Sequence, residues 1–222
     1  YGGKALGGLV SLVTAPLPRL TCVAGDGPIQ IAQVRGDDAH LWPLDVSNPQ
    51  LPRIEKPIET GLSGSLQYAD GLGLLRQDSS SMRLLDLADP RQPRVCAEVP
   101  RWGRTTGAMV LHDAVLAVSN RNSDEPAAFR LYDVSDPENP VLRSTVMDGD
   151  LRYGDRRWLV CGLGLGGADK PRLWKLDDDL QATLCGLFRT AIGVVNPVCI
   201  VGDHAYLFGQ DRNDDPLIEV HD

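Results

Sequence analysis

Five aspartates recur along the chain at steps of 44, 43, 42 and 48 residues: Asp26, Asp70, Asp113, Asp155 and Asp203. A second series runs in phase with the first at steps of 41, 47, 44 and 44 residues: Asp45, Asp86, Asp133, Asp177 and His221. Carboxylates and imidazoles are the groups that act as acids, bases and nucleophiles in hydrolytic enzymes. Each first-series Asp, however, lies in a short polar break between apolar runs, where Asp bonds its own backbone and stabilises a turn. We therefore expect both series to be structural.

Two phased series over the whole length indicate five copies of one unit. A unit of about 44 residues cannot bury its own apolar face, so the copies must pack on one another, as in a propeller or a solenoid. The sequence thus predicts a single domain over residues 1–222.

Each copy contains the same order of strands and turns. One strand precedes the first Asp, and a second follows it. A third strand ends on the second Asp, at 41–45, 82–86, 129–133, 173–177 and 217–221, and alternates with the two-residue period of a strand. A fourth follows a Pro-containing turn, as at 53–58 and 141–146. Because no segment has a helical period, the sequence predicts an all-β, five-bladed β-propeller with four antiparallel strands per blade.

The turn after the third strand carries a family resemblance. Residues 131–140 spell Leu-Tyr-Asp-Val-Ser-Asp-Pro-Glu-Asn-Pro, and residues 45–52 and 86–93 follow the same pattern. This turn resembles the LVIVD repeat of bacterial propellers, whose hallmark is Asp-Val-Ser-(Asp/Asn)-Pro-x-x-Pro. The copies at 177 and 221 depart from it. The resemblance implies a propeller scaffold and, for some members, a role at the cell surface or in adhesion.

The two ends of the chain predict how the ring closes. The last copy stops after its third strand, whereas residues 8–13 form one spare apolar strand before the first copy. We expect this segment to complete the last blade, which removes an open sheet edge. The alternative interpretation of residues 5–15 is the end of a secretion signal.

Charge and cysteine usage narrow the classes of partner and compartment. The net charge is −8, which disfavours nucleic acid and suits a basic protein partner, although solubility explains it as well. No apolar run approaches the ~18 residues of a membrane span. The five cysteines lie in apolar runs without zinc spacing. Their odd number favours a reducing compartment such as the cytoplasm, with secretion or surface display left open.

No enzymatic motif is present in the sequence. It contains no nucleophile elbow, phosphate-binding loop, dinucleotide fingerprint or zinc-protease motif. The glycine-rich residues 162–167 follow a strand but open no helix. Only Asp150 lies near a predicted inner strand, and one carboxylate cannot perform two-carboxylate glycoside hydrolysis. We therefore expect no catalytic residues and no cofactor.

A metal site has only weak candidates. Residues 211–215 offer oxygen ligands, but they lack the glycine and the distal glutamate of a calcium loop. A solvated turn is the favoured interpretation. The four histidines, His40, His112, His204 and His221, are dispersed.

The remaining candidate for function is a binding surface on the loops. The blade connections carry Arg101, Trp102, Arg104, Arg152 and Tyr153, a composition typical of interface anchors. Inter-blade packing is the alternative role of Trp102. The loops between second and third strands carry Asp37, Asp124 and Asp214, which would steer a partner.

The leading hypothesis is a non-enzymatic scaffold that binds another protein, for example one that neutralises a toxin. The alternatives are a carbohydrate-binding or glycosidase-type propeller and a surface adhesion module.

Overall fold

The computed structural model describes residues 20–25, 27–34, 37–61, 64–76, 82–99, 105–111, 113–120, 128–147, 151–154, 157–161, 171–190, 194–210, 213 and 215–221. Only the backbone is described at 20–22, 24, 37–39, 105–111, 120, 152 and 194–197. The chain forms two compact units, Tyr1–Pro100 and Arg101–Asp222.

The first unit contains two sheets. The strands of its first sheet are β1 (Leu20–Ala24), β2 (Ile29–Val34), β3 (Asp37–Asp45), β4 (Arg53–Ile54) and β5 (Ile58–Glu59). The strands of its second sheet are β6 (Ser65–Ala69), β7 (Leu72–Arg76), β8 (Met82–Asp86) and β9 (Arg94–Val99). Each strand is hydrogen-bonded antiparallel to the next, except that β4 and β5 both pair with β3.

The second unit contains three sheets. The strands of the third sheet are β10 (Thr105–Leu111), β11 (Val115–Asn120), β12 (Ala128–Asp133) and β13 (Val141–Val146). The fourth has β14 (Leu151–Gly154), β15 (Trp158–Cys161), β16 (Arg172–Leu176) and β17 (Ala182–Leu187). The fifth has β18 (Val194–Val201), β19 (His204–Gln210) and β20 (Pro216–His221).

These five antiparallel sheets are the blades of a five-bladed β-propeller, and the residues that the structure describes contain no helix. The predicted fold class is therefore confirmed. The fifth blade shows three strands, and residues 8–13, expected to supply the fourth, lie outside the described residues. The single-domain assignment stays a prediction.

The first strand of each blade is the inner one. Successive first strands contact each other, β1 against β6 in the first unit, and β10 against β14 and β14 against β18 in the second. The last strand of a blade, such as β9 or β17, forms its outer edge. Any carboxylate chemistry in a propeller channel would have to be carried by the inner strands.

The apolar cores lie between neighbouring blades rather than within them. In the first unit, Ile31 and Leu41 of blade 1 pack with Leu66, Leu75 and Leu85 of blade 2. A second cluster, in the second unit, joins blades 3 and 4 through side chains such as Phe129, Leu131 and Leu159. A flat sheet must bury its apolar face against another layer, and here that layer is the next blade.

The outer strand of blade 1 differs from the prediction. The sequence predicted one strand over residues 53–58, but two short strands, β4 and β5, flank an interruption at 55–57. Pro57 explains the break because it has no N–H to donate to a ladder. The chain resumes at Ile58, which pairs with Leu41.

Candidate functional site

The second Asp series forms the same turn in each of the first four blades. The carboxylate Oδ1 accepts the backbone N–H two residues later: Ser47 to Asp45 at 2.9 Å, and Ala88 to Asp86, Ser135 to Asp133 and Asp179 to Asp177 at 3.0 Å. Such side-chain bonds replace the ladder bond that the backbone loses when a strand ends. The degenerate fourth copy thus keeps the turn, although its Pro pattern is lost.

A second turn of the same kind follows directly in blades 1 to 3. The side chains of Asn48, Asp89 and Asp136 accept the N–H two residues later at 3.0, 3.0 and 3.1 Å, and their carbonyls accept the N–H three residues later. The intervening prolines, such as Pro137, hold the φ that the first central position of this turn requires. The pattern Asp-x-x-(Asp/Asn)-Pro that these three copies share is therefore a double turn.

Two members of the first Asp series, Asp70 and Asp113, lie in tight hairpins with left-handed backbone. Asp70 and Gly71 have φ of 49° and 81°, and Asp113 and Ala114 have φ of 63° and 61°. Two consecutive positive φ values are the geometry of the turn that matches the twist of an antiparallel hairpin. Asp tolerates this conformation better than most residues, whereas Ala does not.

The two series meet at one end of blades 2 and 3. The residue after the second Asp donates its N–H to a carbonyl of the first turn: Leu87 to Gly71 at 2.7 Å and Val134 to Ala114 at 2.8 Å. Leu87 and Val134 are themselves buried. The structural role predicted for the second series is confirmed at Asp45, Asp86, Asp133 and Asp177. In the first series, Asp26 and Asp155 lie outside the described residues.

An arginine at the start of the outer strand pairs with the second Asp. Arg143 Nη2 lies 2.7 Å from Asp133 Oδ2 in blade 3, and Arg94 Nη2 lies 3.4 Å from Asp86 Oδ2 in blade 2. Hydrogen bonds from Arg143 and then Ser135 lower the pKa of Asp133 to about 2. The sequence interpretation missed this partner. Its signal is an arginine eight or ten residues after the Asp.

Polar side chains also join neighbouring blades. In the first unit, Arg91 of blade 2 donates to both carboxylate oxygens of Glu55 in blade 1, and the shortest contact is 2.6 Å. This pair lowers the pKa of Glu55. Buried Gln33 donates to the carbonyl of Gly64 at 2.7 Å and accepts the N–H of Leu66 at 2.9 Å. These contacts fix blades 1 and 2 against each other.

The turn end of blades 3 and 4 is acidic. Gln181 and Ser144 hold the two turns together, because Ser144 Oγ donates to the carbonyl of Leu180 at 2.7 Å. Around this joint, Glu138, Asp178 and Asp179 are exposed. Such a concentration of carboxylates creates a negative potential that attracts cationic partners.

The inner strands carry no carboxylate and no imidazole. As the structure bounds them, β1, β6, β10, β14 and β18 contain no Asp, Glu or His. Exposed side chains on the described part of these strands include Ser65, Gln67 and Val23. Two carboxylates facing each other, which glycoside hydrolysis requires, are not present on these five strands.

The predicted partner-binding residues are only partly described. Tyr153 of β14 is half-buried and packs against the core between blades 4 and 5. Asp37, predicted on a loop, instead begins β3, and Arg152, predicted on a blade connection, instead lies in β14; only the backbone of both residues is described. The other predicted residues lie outside the described part of the chain: Arg101, Trp102, Arg104, Asp124 and Asp214. Their assignment as a binding surface stays a prediction.

Metal-type ligands, cysteines and histidines do not come together as a site within the residues that the structure describes. Within the described residues, no three metal-type ligands lie together. Cys96, Cys161, Cys185 and Cys199 are free thiols, and the side chain of Cys22 is not described. His221 packs edge-on against Phe188, with ring centroids 5.3 Å apart. No helix in the described part is long and apolar enough to span a membrane.

Comparison with known proteins shows the fold alone. No family model matches the chain, so the LVIVD-type turn stays a resemblance. No curated protein matches it either.

Solved structures do resemble the chain. The computationally designed Ika8 protein has 10% identity and a TM-score of 0.61, with 92% of this chain and 58% of that chain covered. A protein from Lactobacillus plantarum has 12% identity and a TM-score of 0.61, with coverages of 89% and 69%. A candidate 6-phosphogluconolactonase from Bacteroides fragilis has 12% identity and a TM-score of 0.56, with coverages of 90% and 72%. The chain spans less than two thirds of the designed protein, and these identities are too low to carry an activity.

Proposed function

We propose that this chain is a non-enzymatic propeller that binds a basic protein. The observation that carries the proposal is the distribution of charged groups. Exposed carboxylates gather at the turn end of blades 3 and 4, while the five inner strands contain no Asp, Glu or His. The inner strands thus lack the pair of carboxylates that glycoside hydrolysis requires. The exposed carboxylates at the turns attract a cationic surface.

The partner is held and attracted by different residues. In the proposal, Arg101, Trp102, Arg104, Arg152 and Tyr153 form the contact. Aromatic and arginine side chains dominate binding energies because they bury a large area and hydrogen-bond at the same time. The net charge of −8 raises the rate of encounter with a basic protein. A basic toxin that this chain neutralises is one partner of this class.

A charge-reversal experiment tests the attraction. The triple variant Glu138→Lys, Asp178→Lys, Asp179→Lys reverses the exposed carboxylates at the turn end of blades 3 and 4. A control variant reverses Glu59 and Glu98, which are also exposed but belong to the first unit. Protein captured from the native host should bind the control and lose association rate on the triple variant, with the difference shrinking at high salt. Equal rates for both variants would contradict the proposal.

A hydrolytic function is the competing possibility to be tested in parallel. The Bacteroides fragilis structure is a candidate lactonase, and its similarity to this chain is one of fold. Turnover of sugar lactones or glycosides by the purified chain, lost on mutation of one carboxylate, would replace the binding proposal.

A further inference from the structure

The outer strand of blade 4 differs in composition from those of blades 2 and 3. Strand β9 carries Arg94 and Glu98, and β13 carries Arg143. Strand β17 reads Ala-Thr-Leu-Cys-Gly-Leu and has neither a charge nor a proline. Charged and proline residues on edge strands prevent pairing with other chains. Strand β17 therefore lacks the protection that the other two edges have.

The exposed side of β17 is apolar. Leu184 is 48% exposed and Leu187 is 54% exposed. Their partners on β16 are Trp174 and Arg172, two residues apart, so both leucines lie on the same face of the sheet. A Cβ added to Gly186 would meet no atom within 4 Å. Among the described strands, β17 pairs only with β16.

We propose that β17 pairs antiparallel with β17 of a second copy of this chain. Two copies related by a two-fold axis would continue one sheet into the other and bring the four leucines onto one face. Backbone N–H and C=O groups that face outward from each edge would then be satisfied by the other copy.

Charge favours this arrangement over a parallel one. The acidic residues Asp178 and Asp179 precede β17, and Arg189 follows it; all three are exposed. Antiparallel pairing places the acidic end of each strand beside the arginine of the other copy. Parallel pairing would place the carboxylates of both copies together, which is destabilising.

Sedimentation velocity with a matched pair of variants tests the proposal. The wild-type chain should shift from monomer to dimer between low and high micromolar concentration. Leu184→Lys should weaken dimerisation by about tenfold or more, because it places two like charges at the joined edge. Leu142→Lys is the control, since Leu142 is 47% exposed on the outer strand β13. This control should dimerise like the wild type.

Thiol crosslinking gives a second measurement that does not depend on a destabilising change. Cys185 is exposed near the middle of β17, whereas Cys96 lies on β9. A short bismaleimide should crosslink the wild-type dimer and the Cys96→Ser variant but not Cys185→Ser. A chain that stays monomeric at every concentration would overturn the proposal. So would a dimer that survives Leu184→Lys and is not crosslinked through Cys185.

Discussion

Arg143 Nη2 donates to Asp133 Oδ2 over 2.7 Å and joins the end of the third strand of blade 3 to the beginning of its outer strand. The same carboxylate accepts the N–H and the hydroxyl of Ser135 through Oδ1. One residue thus closes the turn and ties the outer strand to it. This dual role, which Asp86 shares through Arg94, explains the Asp at this position in blades 2 and 3, where a simple turn would accept Asn or Ser as well.

The hydrogen bonds that Asp133 accepts from Arg143 and Ser135 predict that stability depends on pH in the acid range. The pKa of Asp133 falls from 3.8 to about 2 in the folded protein. A carboxylate with a lowered folded pKa contributes stability above its unfolded pKa and loses it as the pH falls through the folded value. We expect Asp133→Asn to lower the free energy of unfolding by about 1 kcal/mol at neutral pH, after allowance for solvent screening.

The measurement is urea unfolding as a function of pH. The difference between wild type and Asp133→Asn should shrink as the pH is lowered from 3.8 towards 2. Arg143→Met should reduce the same difference at neutral pH. A constant difference over the acid range would show that Asp133 acts only through the shape of the turn.

Glycine and alanine substitutions in two hairpins should have opposite effects on stability. Ala114 has φ of 61°, and Gly71 has φ of 81° at the corresponding position of blade 2. We expect Ala114→Gly to stabilise the protein by about 1 kcal/mol, because a Cβ is unfavourable in left-handed backbone. Gly71→Ala should destabilise it by a similar amount for the same reason. No clash adds to this cost, because the new Cβ would meet Ala88 only at ordinary distances of 3.8 Å or more. Thermal melting of the two variants and the wild type measures both effects, and changes of the same sign would refute the explanation.

The Asp spacing predicted the fold because it reports turns, and turns have strict local chemistry. The limits of β2, β7 and β13 follow from apolar runs bounded by Asp, Gly and Pro. Contacts between sequence-distant side chains had no such signal. The pair Glu55–Arg91 and the bonds of Gln33 to Gly64 depend on how one blade packs on the next. The candidate site could not be predicted in detail for the same reason: binding surfaces consist of variable loops that follow no period.

Closure of the last blade predicts a further effect. Val220 of β20, directly before His221, is 54% exposed, whereas Leu85 and Tyr132, directly before the second-series Asp of blades 2 and 3, are buried. If residues 8–13 supply the missing strand, deleting residues 1–13 should cause aggregation through the open edge of β20. Val10→Pro should have a smaller effect in the same direction, because proline cannot donate to a ladder, and Lys4→Pro is its control. Light scattering during storage measures aggregation. A truncated chain that remains monomeric with an unchanged melting temperature would rule closure out.

The central proposal, that this propeller holds a basic protein through its Arg and Trp connections, is tested most directly by surface-plasmon kinetics against the captured partner. Trp102→Ala should cost about 2 kcal/mol or more of binding free energy, mainly as faster dissociation, with an unchanged melting temperature. Reversal of Asp37, Asp124 and Asp214 should instead slow association, chiefly at low salt. If Trp102→Ala lowers the melting temperature and leaves the affinity unchanged, Trp102 belongs to the core between blades, and the claim is contradicted.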